Sequence, residues 1–555
     1  MKQPDIFTIS ENYVEESLAL SPELATTLGY HDRDDLLDDH SYAAKDKALA
    51  LIKKYLAILA EYQPGTPSEL TAYKVLKNDL IQDEIHLISD ASHYAEGVFN
   101  STASSFFELL DLMNYETIAD FEKLSLRLCG MKTILKDYEE TYHLLQGKGI
   151  KNTHYNLLSL IKQFKLIGNE KKYQSYLAPL IEVITLPQEL KIQLVIDAQE
   201  LEKAHLATAN YLEKEILPQA RLELGVGRDL YQSYADYYTY QDIDLNELYE
   251  FGLTEVERIS ALIHETAKEI LPSYKNLSEV TTYLNNHPNY AINSKDELLA
   301  KLRAISDDAV TTLQGDIFDI DERLLSIDIK LNEESLDAAP YYLPPSEDLT
   351  RPGSAWFPTL QKDKFVIWPE VSTWYHEAIP GHHLQCGTQL LNKDKLTRYQ
   401  TSLAWHSGYG EGWALYAESL MFKLGYFTDP GYRLGYLQSQ ALRAARIVLD
   451  LGLHLDLPSP IDQTAWTVSK AVNYLKEVAL LDEEYAQSEI DRYLSAPGQA
   501  ISYKVGERVW QNLYDLTSQT KADFDPKEFH AYALSLGSLR LDDFQDEILR
   551  WVDQA

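Results

Sequence analysis

HEAIPGHHLQ, residues 376–385, places three histidines and a glutamate within eight positions. A second acidic segment, EGWALYAE, follows at residues 411–418. Imidazole nitrogens and a carboxylate are the ligands of a catalytic zinc ion that keeps one coordination position for water. A glutamate beside the first histidine would accept a proton from that water. The sequence therefore predicts a hydrolase with one Zn²⁺ ion, and we expect a peptidase.

The spacing of these histidines departs from the usual His-Glu-x-x-His helix, because Pro380 stands four residues after His376. On a straight helix His382 would lie about 120° off the face of His376, and His383 about 10.5 Å along it. Pro380 and Gly381 disturb helical geometry, so we expect a bulged turn that brings His382 under His376. The spacing leaves open which of the two is the second ligand. In the alternative, Pro-Gly ends one helix and the histidines are surface or core residues.

The net charge of −36, from 86 acidic and 50 basic residues, disfavours nucleic acid as a partner. Solubility explains this charge most simply, and attraction of cationic substrates is the alternative. The two cysteines, Cys129 and Cys386, cannot build a disulfide framework, which indicates a reducing compartment. Cys386 is interpreted as a buried thiol, with a thiolate metal ligand as the alternative.

The N-terminal residues show no signal-peptide pattern, and the chain has no run of 18 apolar residues. We therefore expect a cytoplasmic protein that makes no membrane contact. The sequence gives no indication of oligomeric state.

Helical periodicity dominates the chain and predicts a mostly α fold with a deep cleft. We expect an N-terminal helical region, residues 1–340, that forms one cleft wall, and a catalytic helical region, residues 341–555. Ser354 to Pro358 and Lys364 to Trp368 are predicted to form a small β-hairpin or edge strand near the active site. Helices are predicted at residues 44–62, 117–145, 186–217, 247–271, 295–313, 434–451 and 471–494.

HEAIPGHHLQ and EGWALYAE resemble the bacterial domain-of-unknown-function family 885, which carries a His-Glu-x-x-Pro-Gly-His signature. The resemblance extends through RAARIVLDLGLH (443–454), RYLSAPGQAISYKVG (492–506) and SPELATTLGYHDRDDLLDD (21–39). That family is similar to gluzincin zinc peptidases such as thimet oligopeptidase and thermostable carboxypeptidase. The resemblance covers most of the chain and implies a helical cleft that accepts short peptides.

The resemblance implies a metal-ligand set and a base. In gluzincins the second ligand histidine follows a glycine. Here Gly381 precedes His382, so the resemblance implies His382 as the second ligand, and the third ligand matches Glu411. His383 stays an alternative ligand. Glu418 lies two turns after Glu411 on the same helix face, as an alternative ligand or a partner of one. Glu377 is implied as the general base.

Further roles are implied for the late segments. Tyr503 is the candidate that donates a hydrogen bond to the oxyanion, with His454 as second choice. Arg492 and Arg446 are candidates for binding a substrate carboxylate, and Arg443 competes with them. Internal salt bridges are the alternative for each arginine.

Two other functions remain open at this point. A zinc hydrolase of a non-peptide amide or ester would use the same ligands. A non-catalytic, metal-stabilised helical protein is the second alternative, although it would have no need of Glu377 and usually fills all four metal positions with protein ligands.

Overall fold

Helices make up most of the computed structural model, which describes residues 4–239, 243–333, 340–359 and 362–553. The mostly α fold that the sequence predicts is confirmed. The helices up to residue 313 are α1 (Ile6–Leu20), α2 (Pro22–Thr27), α3 (Ala44–Ala60), α4 (Pro67–Ser89), α5 (Ala91–Tyr94), α6 (Thr102–Asp111), α7 (Ile118–Gly147), α8 (His154–Asn169), α9 (Lys172–Leu180), α10 (Gln188–Tyr211), α11 (Arg228–Thr239), α12 (Leu245–Ile270), α13 (Leu277–Asn285) and α14 (Lys295–Leu313).

The remaining helices follow the strand segments of the chain and carry most of the predicted site residues. They are α15 (Glu370–Glu377), α16 (His382–Leu391), α17 (Arg398–Ser402), α18 (Ser407–Lys423), α19 (Pro430–Leu455), α20 (Val468–Val478), α21 (Glu483–Ser495), α22 (Ser502–Thr520), α23 (Pro526–Ser535) and α24 (Leu541–Asp553).

Most of the helices predicted from periodicity occur with small shifts of their ends, and α14 matches its prediction at both ends. The single helix predicted over residues 471–494 is wrong, because α20 and α21 divide this segment. Leu480 between them has a φ of 55°, which a helix does not allow. Asp482 then accepts a hydrogen bond from the backbone N–H of Tyr485 and starts α21.

Five short strands lie in two small sheets of the described residues. They are β1 (Ala291–Ile292), β2 (Asp328–Asn332), β3 (Tyr341–Leu343), β4 (Ser354–Pro358) and β5 (Phe365–Val366). β4 pairs in parallel with β2 and antiparallel with β3, while β5 pairs with β1. The two segments predicted as a hairpin therefore belong to different sheets, and the edge strand near the site is β3.

Two clusters of buried hydrophobic residues stabilise the helices. The smaller cluster lies within residues 103–216 and joins α6 to α10. The larger cluster contains residues from Ile6 to Val552, and so includes both sides of position 340. The division into two regions at that position stays a prediction, and it adjoins residues 334–339, which lie outside the described residues.

No helix in the described ranges is both long enough and apolar enough to cross a bilayer.

Glycines allow α18 and α22 to pack with their backbones in close approach. A Cβ added to Gly506 would lie 1.9 Å from the carbonyl oxygen of Gly408 and 2.6 Å from the α-carbon of Gly412. These contacts involve backbone atoms, which cannot move away as a flexible side chain can. The absence of a side chain at residue 506 therefore sets the distance between the helix of Glu411 and the helix of Tyr503.

We expect Gly506→Ala to lower the free energy of unfolding by about 1–3 kcal/mol, because the new methyl group forces α18 and α22 apart. Urea denaturation measures this. Gly147→Ala is the matched control, since a Cβ at this exposed helical residue meets nothing within 4 Å. The control should be neutral or stabilising by up to about 1 kcal/mol, and equal effects of the two substitutions would contradict the packing argument.

Candidate active site

The chain between His376 and His382 breaks the helix completely. α15 ends at Glu377 and α16 begins at His382, so four residues connect two separate helices. The bulged turn predicted within one helix is therefore wrong, although the turn at Pro380 and Gly381 does bring the two histidines together. A Cβ on Gly381 would lie 1.8 Å from the carbonyl oxygen of His376, so only glycine fits this contact.

Trp413 of α18 stabilises the segment that connects α15 to α16. Its indole N–H lies 3.0 Å from the carbonyl oxygen of Pro380 and 3.1 Å from that of Gly381. Trp413 is two residues after Glu411, so the same helix supports the connection and supplies the acidic residue of the site. The contact of Trp413 with residues 380 and 381 thus fixes the position of α18, and with it Glu411, relative to the two histidines.

His376, His382 and Glu411 converge at one point. Each offers one ligand atom, and these atoms lie within 4.8 Å of one another. The Nε2 atom of His376 is 3.2 Å from Glu411 Oε2, and the Nε2 atom of His382 is 3.4 Å from the same oxygen. Their imidazole rings are perpendicular, with centroids 4.8 Å apart.

These distances fit a tetrahedral zinc ion. Zinc–ligand bonds of about 2.0–2.1 Å at a tetrahedral angle place two ligand atoms about 3.4 Å apart. The donor set of two imidazoles and one carboxylate is also the set used by catalytic zinc sites. The residues at this point therefore fit the ion that the sequence predicts.

Glu418 holds His376 from the far side. Its Oε1 accepts a hydrogen bond from His376 Nδ1 at 2.9 Å, while Ser372 and Ser439 donate to its Oε2. This carboxylate is fully buried. A carboxylate on Nδ1 leaves Nε2 as the metal-binding nitrogen and orients the ring. Glu418 therefore contacts His376 as a partner of a ligand would, which is the second of the two roles that the sequence left open and stays a prediction.

The buried carboxylates shift the protonation of the cluster. Burial lowers the pKa of His376, but its hydrogen bonds to Glu411 and Glu418 outweigh burial and raise this pKa to about 9. Burial raises the pKa of Glu411, yet hydrogen bonds from His376 and His382 hold it well below its usual range. The cluster therefore favours a positive charge among its carboxylates.

His383 points away from this cluster. Its Nδ1 lies 3.1 Å from the hydroxyl of Tyr342 in β3, and its Nε2 lies 3.2 Å from the carbonyl oxygen of Leu324. Burial lowers the pKa of His383 to about 4, so the ring is neutral. Both nitrogens of His383 have partners, and the contact with Tyr342 links α16 to the sheet that contains β3. His382 instead faces His376 and Glu411.

Glu377, His376, His382 and Glu411 line a cavity of about 450 Å³. Burial raises the pKa of the Glu377 carboxyl. The cavity wall also includes Phe99 and Gln163, so the N-terminal helices contribute to it. A carboxyl group beside the cluster and open to a cavity has the position that a general base requires.

Tyr503 lies beside His376 in the same cavity. The two rings are nearly parallel, with centroids 6.1 Å apart. Arg492 donates a hydrogen bond of 2.8 Å to the Tyr503 hydroxyl oxygen. The hydroxyl proton is left for another acceptor, which suits the oxyanion donor that the sequence predicts at this position.

His454, the second choice for that donor, lies outside the cavity wall. Its Nε2 is 2.9 Å from the carbonyl oxygen of Tyr493, and its Nδ1 accepts from the backbone N–H of Val226 at 3.3 Å. Burial lowers its pKa to about 4. The structure gives His454 a role in packing α19 against α21, and the prediction of an oxyanion donor does not fit its position.

The arginines proposed for substrate binding all reach the cavity but differ in their partners. Arg446 forms two hydrogen bonds of 2.8 Å with Glu489. Arg492 binds Gln499 and Tyr503. The internal salt bridge considered as an alternative is thus present for Arg446. Glu489 has no motif around it that could have identified it from the sequence.

Cys386 also lines the cavity, but it is not part of the ligand group. Burial raises the pKa of its thiol to about 12. A neutral thiol is a poor ligand, but Cys386 is only half-buried, so the interpretation as a buried thiol stays a prediction. Cys386 and Trp405 also border a second, mainly apolar cavity of about 240 Å³.

The chain belongs to the bacterial protein family of unknown function DUF885, whose family model matches residues 22–548. The resemblance stated from the motifs is therefore confirmed. No curated protein matches the sequence.

Two solved bacterial structures have similar folds. One, described as "the putative lipoprotein from Colwellia psychrerythraea", has a TM-score of 0.86 and 21% identity over 99% of both chains. Another, a "putative lipoprotein of unknown function from Shewanella oneidensis", has a TM-score of 0.72 and 18% identity over 98% of this chain and 100% of the other. These similarities show the fold.

A carboxypeptidase from Pyrococcus furiosus is a far weaker match. Its TM-score is 0.34 at 12% identity, over 92% of this chain and 97% of that one. A likeness at this level carries no argument about activity.

We expect Glu418→Ala to lower the free energy of unfolding by about 3–5 kcal/mol, because it leaves His376, Ser372 and Ser439 without their buried acceptor. Thermal and urea denaturation measure this. Glu250→Ala, at an exposed position of α12, is the control and should change stability by less than about 0.5 kcal/mol. Equal stability of the two variants would show that Glu418 does not hold the site.

Proposed function

We propose that the protein is a zinc-dependent peptidase that hydrolyses short peptides. The observation that carries this proposal is the convergence of His376, His382 and Glu411 within 4.8 Å, in a cavity wall that also contains Glu377. A structural zinc site usually fills all four positions with protein ligands, whereas three ligands beside a cavity leave one position open.

Zinc held by these three side chains would supply a Lewis acid that acidifies water and polarises a carbonyl group. The Glu377 carboxylate takes the proton from the attacking water and returns it to the leaving amine nitrogen. The Tyr503 hydroxyl donates a hydrogen bond to the oxygen of the attacked carbonyl as negative charge develops there. Arg492 holds that hydroxyl in place, and Glu418 holds the His376 ring.

The size of the cavity supports short peptides as substrates. A volume of about 450 Å³ is that of a small-molecule site. The cavity accepts a few residues of extended chain and excludes a folded protein. The cytoplasmic location stays a prediction. Two similar structures are described as putative lipoproteins, and a lipoprotein does not fit a cytoplasmic location.

The pair His382→Asn and His383→Asn tests the assignment of the second ligand. We expect His382→Asn to weaken zinc binding by more than about 100-fold. Replacing a residue that only hydrogen-bonds to a metal ligand already lowers metal affinity about 10- to 100-fold, and loss of the ligand itself should cost more. His383→Asn should bind zinc within a few-fold of the unaltered protein, because this ring contacts Tyr342 and Leu324. Zinc competition with a chelator measures both, and the reverse order would contradict the assignment.

Glu377→Gln tests the role of the base. We expect it to keep stoichiometric zinc and to lose about 10²- to 10⁴-fold in peptide turnover. Glu250→Gln, at an exposed position, is the control and should keep full turnover. Assays with peptides, non-peptide amides and esters define the substrate class. Unchanged turnover in Glu377→Gln, or hydrolysis of esters or other amides without peptides, would contradict the proposal.

A further inference from the structure

Three arginines surround Tyr503 in the cavity wall. The guanidinium carbons of Arg446, Arg492 and Arg443 lie 4.5, 5.5 and 5.8 Å from the centre of the Tyr503 ring. Each of them faces the cavity that contains the metal-ligand cluster. In a chain with a net charge of −36, this is a local concentration of positive charge at the site.

Two of these arginines have protein partners. Arg446 pairs with Glu489 through Nε and Nη2. Its third nitrogen, Nη1, is buried and has no hydrogen-bond partner within the described part of the chain. Arg492 donates to Gln499 and Tyr503, with Glu489 Oε1 3.8 Å away. A single carboxylate, Glu489, thus serves two guanidinium groups.

Arg443 has no ion-pair partner among the described residues. It is only 7% exposed, and its Nε is buried without a hydrogen-bond partner. The negative charges near it are those of Glu418 and Glu377. The Glu418 oxygens accept from His376, Ser372 and Ser439, and Glu377 faces the metal-ligand cluster.

A buried guanidinium without a partner is unfavourable by several kcal/mol unless an anion completes it. A carboxylate matches a guanidinium best, because its two oxygens accept parallel hydrogen bonds from the planar fork. Arg443 Nε and Arg446 Nη1 both remain available for such an anion. Both residues line the cavity of the candidate site.

We propose that Arg443, together with Nη1 of Arg446, binds the C-terminal carboxylate of a peptide substrate, so that the enzyme releases residues from the carboxyl end. The inference rests on the proposed peptidase function for the reaction itself. Tyr503 lies next to both the arginines and His376, and Arg443 acts on the charges of Glu377 and Glu418, so the carboxylate subsite lies close to the cluster.

Trp405 is the candidate contact for the N-terminal part of the substrate. It lies next to His382, with ring centroids 5.8 Å apart, and it borders the second, apolar cavity. It also shares the wall of the first cavity with the arginines. We expect a substrate with its carboxylate at Arg443 to contact Trp405 with its N-terminal part. Arg492, engaged with Gln499 and Tyr503, becomes a positioning residue for the tyrosine.

Binding measurements test this subsite separately from turnover. Zinc-loaded Glu377→Gln protein, which does not consume peptide, is titrated calorimetrically with acetyl-Ala-Ala-Ala-Leu as free acid and as C-terminal amide. A third probe, acetyl-Ala-Ala-Glu-Leu amide, carries its only carboxylate on a side chain. We expect the free acid to bind about 10- to 100-fold more tightly than either amide.

The variant Arg443→Gln, in the same background, should abolish this preference for the free acid and leave amide binding unchanged. Arg443→Lys should restore part of it, because a lysine keeps the charge but lacks the fork. Arg508→Gln is the matched control, since Arg508 pairs with Glu247 at the surface. Unchanged zinc content and urea denaturation in each variant exclude misfolding.

Equal binding of the free acid and the amides, or no binding of any probe, would overturn the proposal. Equal binding of the free acid and the glutamate-containing amide would overturn its assignment to the C-terminus. Cleavage of the peptide amide by the unaltered protein would then still support the peptidase function. Conversely, a preference that depends on Arg443 in a protein that cleaves no peptide would support the carboxylate subsite and remove the peptidase proposal.

Discussion

The contact between Gly381 and the carbonyl of His376 is the constraint on which the rest of the site depends. Because residue 381 has no side chain, the chain can end α15, turn within four residues and start α16 beside it. His376 and His382 then face one point, although their separation in sequence would place them on different faces of a continuous helix. Trp413 fixes this turn and places Glu411 opposite the two imidazoles.

The ionisable residues around that point compensate one another's charges. Glu377, Glu411 and Glu418 are three acidic residues in or beside one small volume, and burial makes their negative charges costly. His376 compensates two of the carboxylates through its two nitrogens. A divalent cation would compensate them more fully and would free Nε2 of His376 from the hydrogen bond to Glu411. This charge balance supports the metal site that we propose.

A large part of the fold and of the candidate site could be predicted from the sequence, because both depend on local patterns. Periodicity predicts most long helices, and short spacings on one helix relate Glu411 to Glu418. The break after Glu377 could not be distinguished from a bulge, since Pro-Gly permits both. The orientation of His383 depends on β3 and Leu324, and that of His454 on α21 and Val226. Glu489 acquires its role only because α19 and α21 pack together. Such contacts between distant segments leave no local signal.

Diffraction at the zinc absorption edge from crystals of the zinc-loaded protein would show whether the three side chains bind one ion. We expect one anomalous peak about 2.0–2.2 Å from His376 Nε2, His382 Nε2 and an oxygen of Glu411, with His376 Nδ1 still bound to Glu418. A peak ligated by His383 or Cys386, or no peak between the three side chains at saturating zinc, would contradict it.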